Sequence, residues 1–196
     1  LFVLGLLVVS RIVSVIPMPG VDVQALANFF AQNQLFGLIS AFTGGGLSNL
    51  SIAMLGLGPY ITGSIIMQLL TMIFPQLEQM YKYEGEAGRA KFNQYSRALT
   101  IPLAILQGYG FMLLLSRQGV IQPLTLFGWA TSLSVVTAGA IFLMWLGELI
   151  TEKNIGNGIS LLIFAGIVSS FPTEIYQTLS TYSREQIFTY LGFAIV

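Results

Sequence analysis

Apolar runs dominate the chain, and charge is confined to short intervals between them. About 20 consecutive apolar residues cross a bilayer, and several of the uncharged runs approach or exceed that length. Leu1 to Ile16 is short for a span and reads as the inner part of a first helix. Val23 to Leu77 carries no charge at all. Gly20 to Ser51, overlapping its start, is rich in Gln, Asn, Gly and Ser and predicts a loop, and Gly56 to Phe74 predicts a span. Further spans are predicted over Ala98 to Ser116, Gly128 to Gly147, and 155 to 171. Residues 186–196 begin a sixth. The apolar start and the apolar stop at Val196 suggest a piece, or the ordered part, of something longer. Trp129 and Trp145 bracket the fourth span, roughly 24 Å apart along a helix. They suit an aromatic at each interface, and equally suit packing between helices.

Composition agrees with this pattern. Hydrophobic residues make up 55% and charged residues 8% of the 196 positions. Soluble domains carry about a quarter charged residues, so the solvent of this chain is largely lipid. Lys+Arg and Asp+Glu balance at 8 each, which gives no hint of nucleic acid or of a strongly acidic partner. The chain has no Cys and no His. That removes thiol chemistry, most zinc sites and the usual histidine bases, and no catalytic group, metal or cofactor is expected. Lys82, Arg89, Lys91, Arg97 and Lys153 fall on one side of alternating spans, and Arg117 and Arg184 on the other. The positive-inside rule makes the Lys82 side, and with it the N-terminus, cytoplasmic.

Several segments depart from plain lipid-facing helix. Thr43-Gly44-Gly45-Gly46 precedes an apolar stretch, and Gly costs about 1 kcal/mol against Ala in a helix. A short helical piece over Ile52 to Leu55 is followed by a break at Gly56-Leu57-Gly58-Pro59. Broken helices at membrane depth persist only where protein or a water-filled cavity surrounds them. The segment is therefore either re-entrant in a pore or transport site, or an external loop with a Pro near a helix start. Ser64 and Gln68, four apart, share a helix face, which suits tight packing or a wet surface. Leu57 and Ile61 are also four apart. They are either a constriction or an ordinary apolar pair.

Glu78 to Arg97 reads as a solvated hairpin or a docking tip for a soluble partner. Glu148 and Glu152 repel each other and oppose the dipole at a helix C-terminus. Either interfacial water and Lys153 offset this, or a partner supplies a basic residue. Ile155-Gly156-Asn157-Gly158 is a turn, with Gly able to supply φ > 0, and Ser160 is placed to help satisfy the next helix start. Apart from Arg11, no charge lies well inside a span, whereas ion-coupled carriers usually need intramembrane acids.

Together these segments resemble the SecY family, the central subunit of the bacterial and plastid Sec translocon. The matching runs, in family order, begin with Ile16-Pro17-Met18-Pro19-Gly20-Val21-Asp22, Gly44 to Tyr60 and Ser64 to Leu70. They continue with Glu84-Gly85-Glu86-Ala87-Gly88-Arg89, Gln94 to Arg97, Met144-Trp145-Leu146-Gly147-Glu148, and Ile155 to Val168. Gln107-Gly108-Tyr109-Gly110-Phe111 is similar to cyanobacterial and plastid members. The resemblance implies an all-α polytopic membrane bundle. Residues 1–185 would form the first half of a ten-span inverted-repeat channel. It would pass unfolded polypeptide across the membrane or release apolar segments into lipid.

The family's residues carry over position by position. Leu47-Ser48-Asn49-Leu50-Ser51-Ile52-Ala53-Met54-Leu55, within 44–55, would be the plug. Leu57, Ile61 and Ile163 would contribute to the pore ring. Thr62 and Gln68 would line the lateral gate, and Glu84, Glu86, Arg89, Lys91 and Arg97 would belong to a cytoplasmic docking loop. Implied partners are SecE-like and SecG-like small subunits, the SecA motor ATPase or a ribosome, signal peptides, nascent chains and lipid. No direct nucleic-acid contact is expected from this half. The implied location is the bacterial plasma membrane or the thylakoid, with the N-terminus cytoplasmic or stromal. Three departures stand out. Leu57 replaces a frequent Ile, Asn49 stands where many relatives carry a basic residue, and Ala90 follows Arg89 where a second basic residue is frequent. The competing readings are a secondary transporter with broken helices and a structural subunit of a membrane energy complex.

Overall fold

A computed structural model describes residues 1–18, 25–26, 50–121, 124–153 and 156–180, with side chains as far as 169. Its helices are α1 (Phe2–Val15), α2 (Gly58–Ile73), α3 (Pro75–Lys82), α4 (Gly85–Arg117), α5 (Leu126–Thr151) and α6 (Gly158–Ser180). No β-strand longer than an isolated bridge occurs among the described residues. The predicted start of a sixth span at 186–196 lies outside them, as does most of the Gly20 to Ser51 loop.

Helices α4 and α5, of 33 and 26 residues, are long and apolar enough to cross a membrane. At 1.5 Å per residue they measure about 50 and 39 Å, against a hydrocarbon core of about 30 Å. α2 and α3 pass the same test together but are bent by 113° at their junction. The bend has a local cause. Pro75 disfavours helical geometry in the residue before it, and Phe74 is extended at φ −107° and ψ 109°.

Helix α4 begins at Gly85 rather than near Ala98, so most of the expected hairpin between 75 and 97 is itself helical. Its tip is Tyr83–Glu84, and Gly85 supplies the turn with φ +64°. Gly88 lets α4 lie against α3, because a Cβ there would fall 2.1 Å from the Met80 carbonyl oxygen. The Tyr81 and Phe92 rings meet across the same contact, tilted, with centroids 4.7 Å apart.

One face of α4 carries Gly88, Phe92, Ser96, Thr100, Ala104, Gly108 and Met112, all buried and each four residues from the last. This row of mostly small residues admits close neighbours. α2 takes up part of it: a Cβ on Gly63 would come within 3.3 Å of the Ser96 carbonyl oxygen. The α2–α4 contact is the most extensive of any described pair, and α2 and α5 barely meet. The Ser96 and Thr100 hydroxyls donate to the carbonyls of Phe92 and Ser96, at 3.1 and 2.8 Å. They are therefore buried without an unmet bond.

The α5–α6 turn is set by four residues. Gly156 has φ +106°. Asn157 Oδ1 accepts from the backbone N–H of Ile159 and of Ser160, at 3.0 and 3.2 Å. Asn157, not Ser160, is thus the cap of α6. Thr151 Oγ1 donates to the Gly147 carbonyl and accepts from Gly158 N–H, both at 2.9 Å. A Cβ on Gly158 would lie 1.9 Å from the Gly147 carbonyl oxygen. α1 packs on α5 and α6, and Phe2 places its ring 5.1 Å beneath the Lys153 ammonium.

Candidate functional site: a polar-walled cavity beside an apolar cluster

Four elements line an open-sided cavity of about 540 Å³. α2 lines it with Tyr60, Ile61, Ser64, Ile65 and Gln68. α4 adds Asn93 and Arg97, α5 adds Glu148, Thr151 and Glu152, and the start of α6 adds Asn157 and Ile159. Arg97 Nε donates to Glu148 Oε1 across this wall, with the Arg side chain 46% and the Glu side chain 14% exposed. The basic residue that meets Glu148 is therefore Arg97 of this chain, neither Lys153 nor a residue of a partner. Lys153 is engaged by Phe2 instead. A second, apolar groove of about 380 Å³ lies between Tyr109, Leu126, Trp129 and Leu133. There Trp129 packs against Tyr109 at 5.8 Å, whereas Trp145 is half exposed.

The predicted site residues separate into groups. Ile61 and Gln68 both face the cavity, and Ser64 shares the Gln68 face. Thr62 does not. Its hydroxyl donates to the Gly58 carbonyl at 2.9 Å and accepts from Gln107 Nε2 of α4 at 3.4 Å. Arg97 sits in α4 at the cavity wall, apart from Glu84, Glu86, Arg89 and Lys91, which are exposed around the hairpin.

Leu57 is only 8% exposed and belongs to an apolar cluster with Ala53, Leu143, Leu146, Ile150 and Leu162. Ile163 and Ile159 pack against the same cluster. Leu57 and Ile163 are thus brought together, and Ile61, one turn beyond Leu57, opens toward the cavity at 37% exposure. Ile159 touches both the cluster and the cavity.

Of the segment from Leu47 to Leu55, the residues Leu47, Ser48 and Asn49 lie outside the described part. Leu50 to Leu55 form successive turns rather than the expected short helix. Met54, Gly56 and Gly58 each donate to the carbonyl three residues back, at 2.8 to 3.1 Å. The segment is pinned on both sides. Met18 N–H donates to the Leu50 carbonyl at 2.8 Å and Ile52 N–H to the Ile16 carbonyl at 3.0 Å. On the other side Ile52 lies against α5 at Gly139, where a Cβ would fall 2.0 Å from the Ile52 carbonyl oxygen. Leu50 is fully buried at φ +39°, a left-handed geometry costing a bulky residue about 1–2 kcal/mol. Gly139, Thr151 and the Arg97–Glu148 pair were missed in the sequence. Only the Glu148–Glu152 repulsion hinted at one of them.

A family model described as SecY matches residues 51–196. The protein translocase subunit SecY of Synechocystis sp. is 47% identical over 179 residues, 91% of this chain and 40% of the relative. That of Pseudomonas aeruginosa is 48% identical over 174 residues, 88% of this chain and 39% of the relative. That of Escherichia coli is 48% identical over 186 residues, 91% of this chain and 42% of the relative. The chain thus spans about 40% of the length of the curated relatives it matches. The near-equal identities add nothing to the narrower cyanobacterial or plastid likeness.

Proposed function

The chain belongs to the SecY family of polytopic helical membrane proteins, and from that premise we propose that it supplies one wall and part of the seal of a protein-conducting channel. The observation that carries the reading is the junction at Ile159. A cavity with a partly polar wall ends on an apolar cluster that includes Leu57 and has Ile163 packed against it, while Ile61, one turn beyond Leu57, faces the cavity. Leu57, Ile61 and Ile163 would be this half's share of a ring of branched apolar side chains. Such a ring excludes water when closed and makes no fixed bonds to a passing chain. Leu47 to Leu55 would form the plug, with its C-terminal part moored to Ile16, Met18 and Gly139. Gln68 would border the lateral gate, and Thr62 would support it through Gln107.

Unfolded polypeptides and apolar signal segments are the proposed cargo. A motor ATPase of the SecA type or a ribosome would supply the drive, docking near Glu84, Glu86, Arg89 and Lys91. Small subunits of the SecE and SecG types would brace the helices. The chain would lie in a bacterial plasma membrane or a thylakoid, with α1 entering from the cytoplasmic or stromal side. The secondary-transporter reading is weaker, because the one carboxylate on the cavity wall with a low exposure, Glu148, is neutralised by Arg97.

The test is ion leak through the full-length protein reconstituted with its partner subunits. Ile61→Asn and Ile163→Asn should each raise the leak of the idle complex. Unchanged conductance in both variants overturns the pore-ring assignment.

A further inference from the structure

Helices α4 and α5 run antiparallel and are held in two different ways along their length. Toward one end Ala104, Met112 and Leu115 of α4 share an apolar cluster with Val136 and Ala140 of α5. Gly108 lies at its centre, where a Cβ would meet Leu133, Leu55 and Val136 at 3.1 to 3.7 Å. The other end opens around the cavity. Continuing the same register by about two turns, roughly 10 Å, brings Arg97 opposite Glu148, and these two pair. The pair is therefore in line with the apolar seam, at the place where the seam has given way to the cavity.

The surrounding contacts define what the pair joins. α2 and α3 are packed onto α4, through Gly63 and Gly88 respectively. α6 is packed onto α5 through Gly147 and Gly158. Beyond Leu57 at its start, which enters the apolar cluster of α5 and α6, α2 makes little contact with α5. One wall of the cavity thus belongs to the α2–α3–α4 group and the other to the α5–α6 group.

We propose that Arg97 and Glu148 form a clasp that sets the width of the cavity between these two groups, releasing it when either charge is drawn away. The apolar seam at Gly108 is the pivot, and the clasp stands at the far end of the lever. A planar guanidinium held by a carboxylate is suited to this. The bond is directional and charge-assisted, yet with the Arg side chain 46% exposed it stays within reach of a competing charge. The inference rests on the channel reading for its purpose, since a wider cavity would admit a chain, but its geometry stands without it.

The experiment reads distance rather than transport. Spin labels are placed on opposite walls, at Gln68→Cys and Glu152→Cys, in the full-length protein freed of other accessible thiols. A second pair at Tyr109→Cys and Leu126→Cys reports the seam end. Arg97→Glu and Glu148→Arg should each move the cavity-wall distance outward and broaden it, while the seam-end distance stays as in the parent. The double reversal should restore the parent distribution. Arg97→Gln, milder and able to fold if a reversal does not, should give a smaller shift in the same direction. A cavity-wall distance unchanged in all single variants, an equal shift at the seam end, or a double reversal no closer to the parent than the singles overturns the clasp. Because no transported chain is involved, the ion-leak test of the pore ring can succeed or fail independently.

Discussion

The seam end and the cavity end of this helical group are built from the same helices but hold together by different physics. At the seam, Leu50, Met54, Met112 and Leu115 are almost fully buried, and Gly139 brings α5 against the backbone at Ile52. At the cavity, Ile61, Ile65 and Gln68 remain exposed, and helices α4 and α5 meet through a charged pair. Within a membrane, apolar surface gains little from leaving lipid, so close packing and satisfied polar groups carry association. The seam uses the first and the cavity end the second. On the proposed channel reading, the packed seam would be the fixed end and the charged pair the movable one, along the length of the same helices.

The comparison breaks most readily at the seam. Met54→Ala should remove about 2–4 kcal/mol by leaving a cavity among fully packed neighbours. Ile65→Ala, at an exposed cavity position, should stay within about 0.5 kcal/mol. Thermal unfolding of the full-length protein in detergent, followed by loss of helical signal, would separate the two. Comparable losses would mean that the ends are not held differently. Next in size is Gly139→Ala, which forces a methyl group against the Ile52 carbonyl and should cost about 1–3 kcal/mol. Limited proteolysis should then cut near Ile52 sooner than in the parent.

How much of this was readable in advance depends on whether the signal was local. Helices over α2, α4 and α5 follow from apolar runs bounded by Pro, Gly and charge, and the chain states them plainly. The full length of α4 does not follow. Residues 85 to 97 are polar on most faces, and only the four-residue row from Gly88 through Phe92 and Ser96 continues the buried stripe. The turns from Leu50 to Leu55 were expected to be a helix because Ile52 to Leu55 is apolar. The burial of those residues comes from Gly139 and Met18, which are distant in sequence. Likewise the repulsion between Glu148 and Glu152 was visible, but the residue that relieves it lies on another helix. Leu57 and Ile61 were correctly seen as neighbours, yet one packs into a cluster and the other faces a cavity, a difference of environment that spacing cannot encode.

A smaller effect tests the turn that carries α6 away from α5. Asn157→Ala removes the cap from two N–H groups and should cost about 1 kcal/mol, with Asn157→Asp retaining most of the stability. Asn157 also lines the cavity, so the Asp variant isolates capping from any effect of the amide on the cavity wall. If Ala and Asp are equally damaging, the role of Asn157 lies in the cavity and not in the helix start.

The smallest expected effect sharpens the comparison by setting one ion pair against another. Lys82 and Glu78 form an i,i+4 pair on α3 at 2.8 Å, with side chains 56% and 42% exposed. Water screens such a pair, and exposed pairs of this kind often contribute nothing measurable. The Glu78 hydrogen bond raises the Lys82 pKa above the ordinary lysine value of 10.5. A raised folded-state pKa means that whatever the pair contributes is fully present below the ordinary value and is lost only as pH climbs through the raised one. Stability should therefore be flat in pH across the neutral range on this account, and Lys82→Gln should leave the unfolding temperature unchanged. Arg97→Gln should lower it, because Glu148, with its side chain only 14% exposed, is then left without its partner. If Lys82→Gln proved the more damaging of the two, the cavity pair would be no more than another surface contact. The difference between a fixed end and a movable end would then have to lie in apolar packing alone.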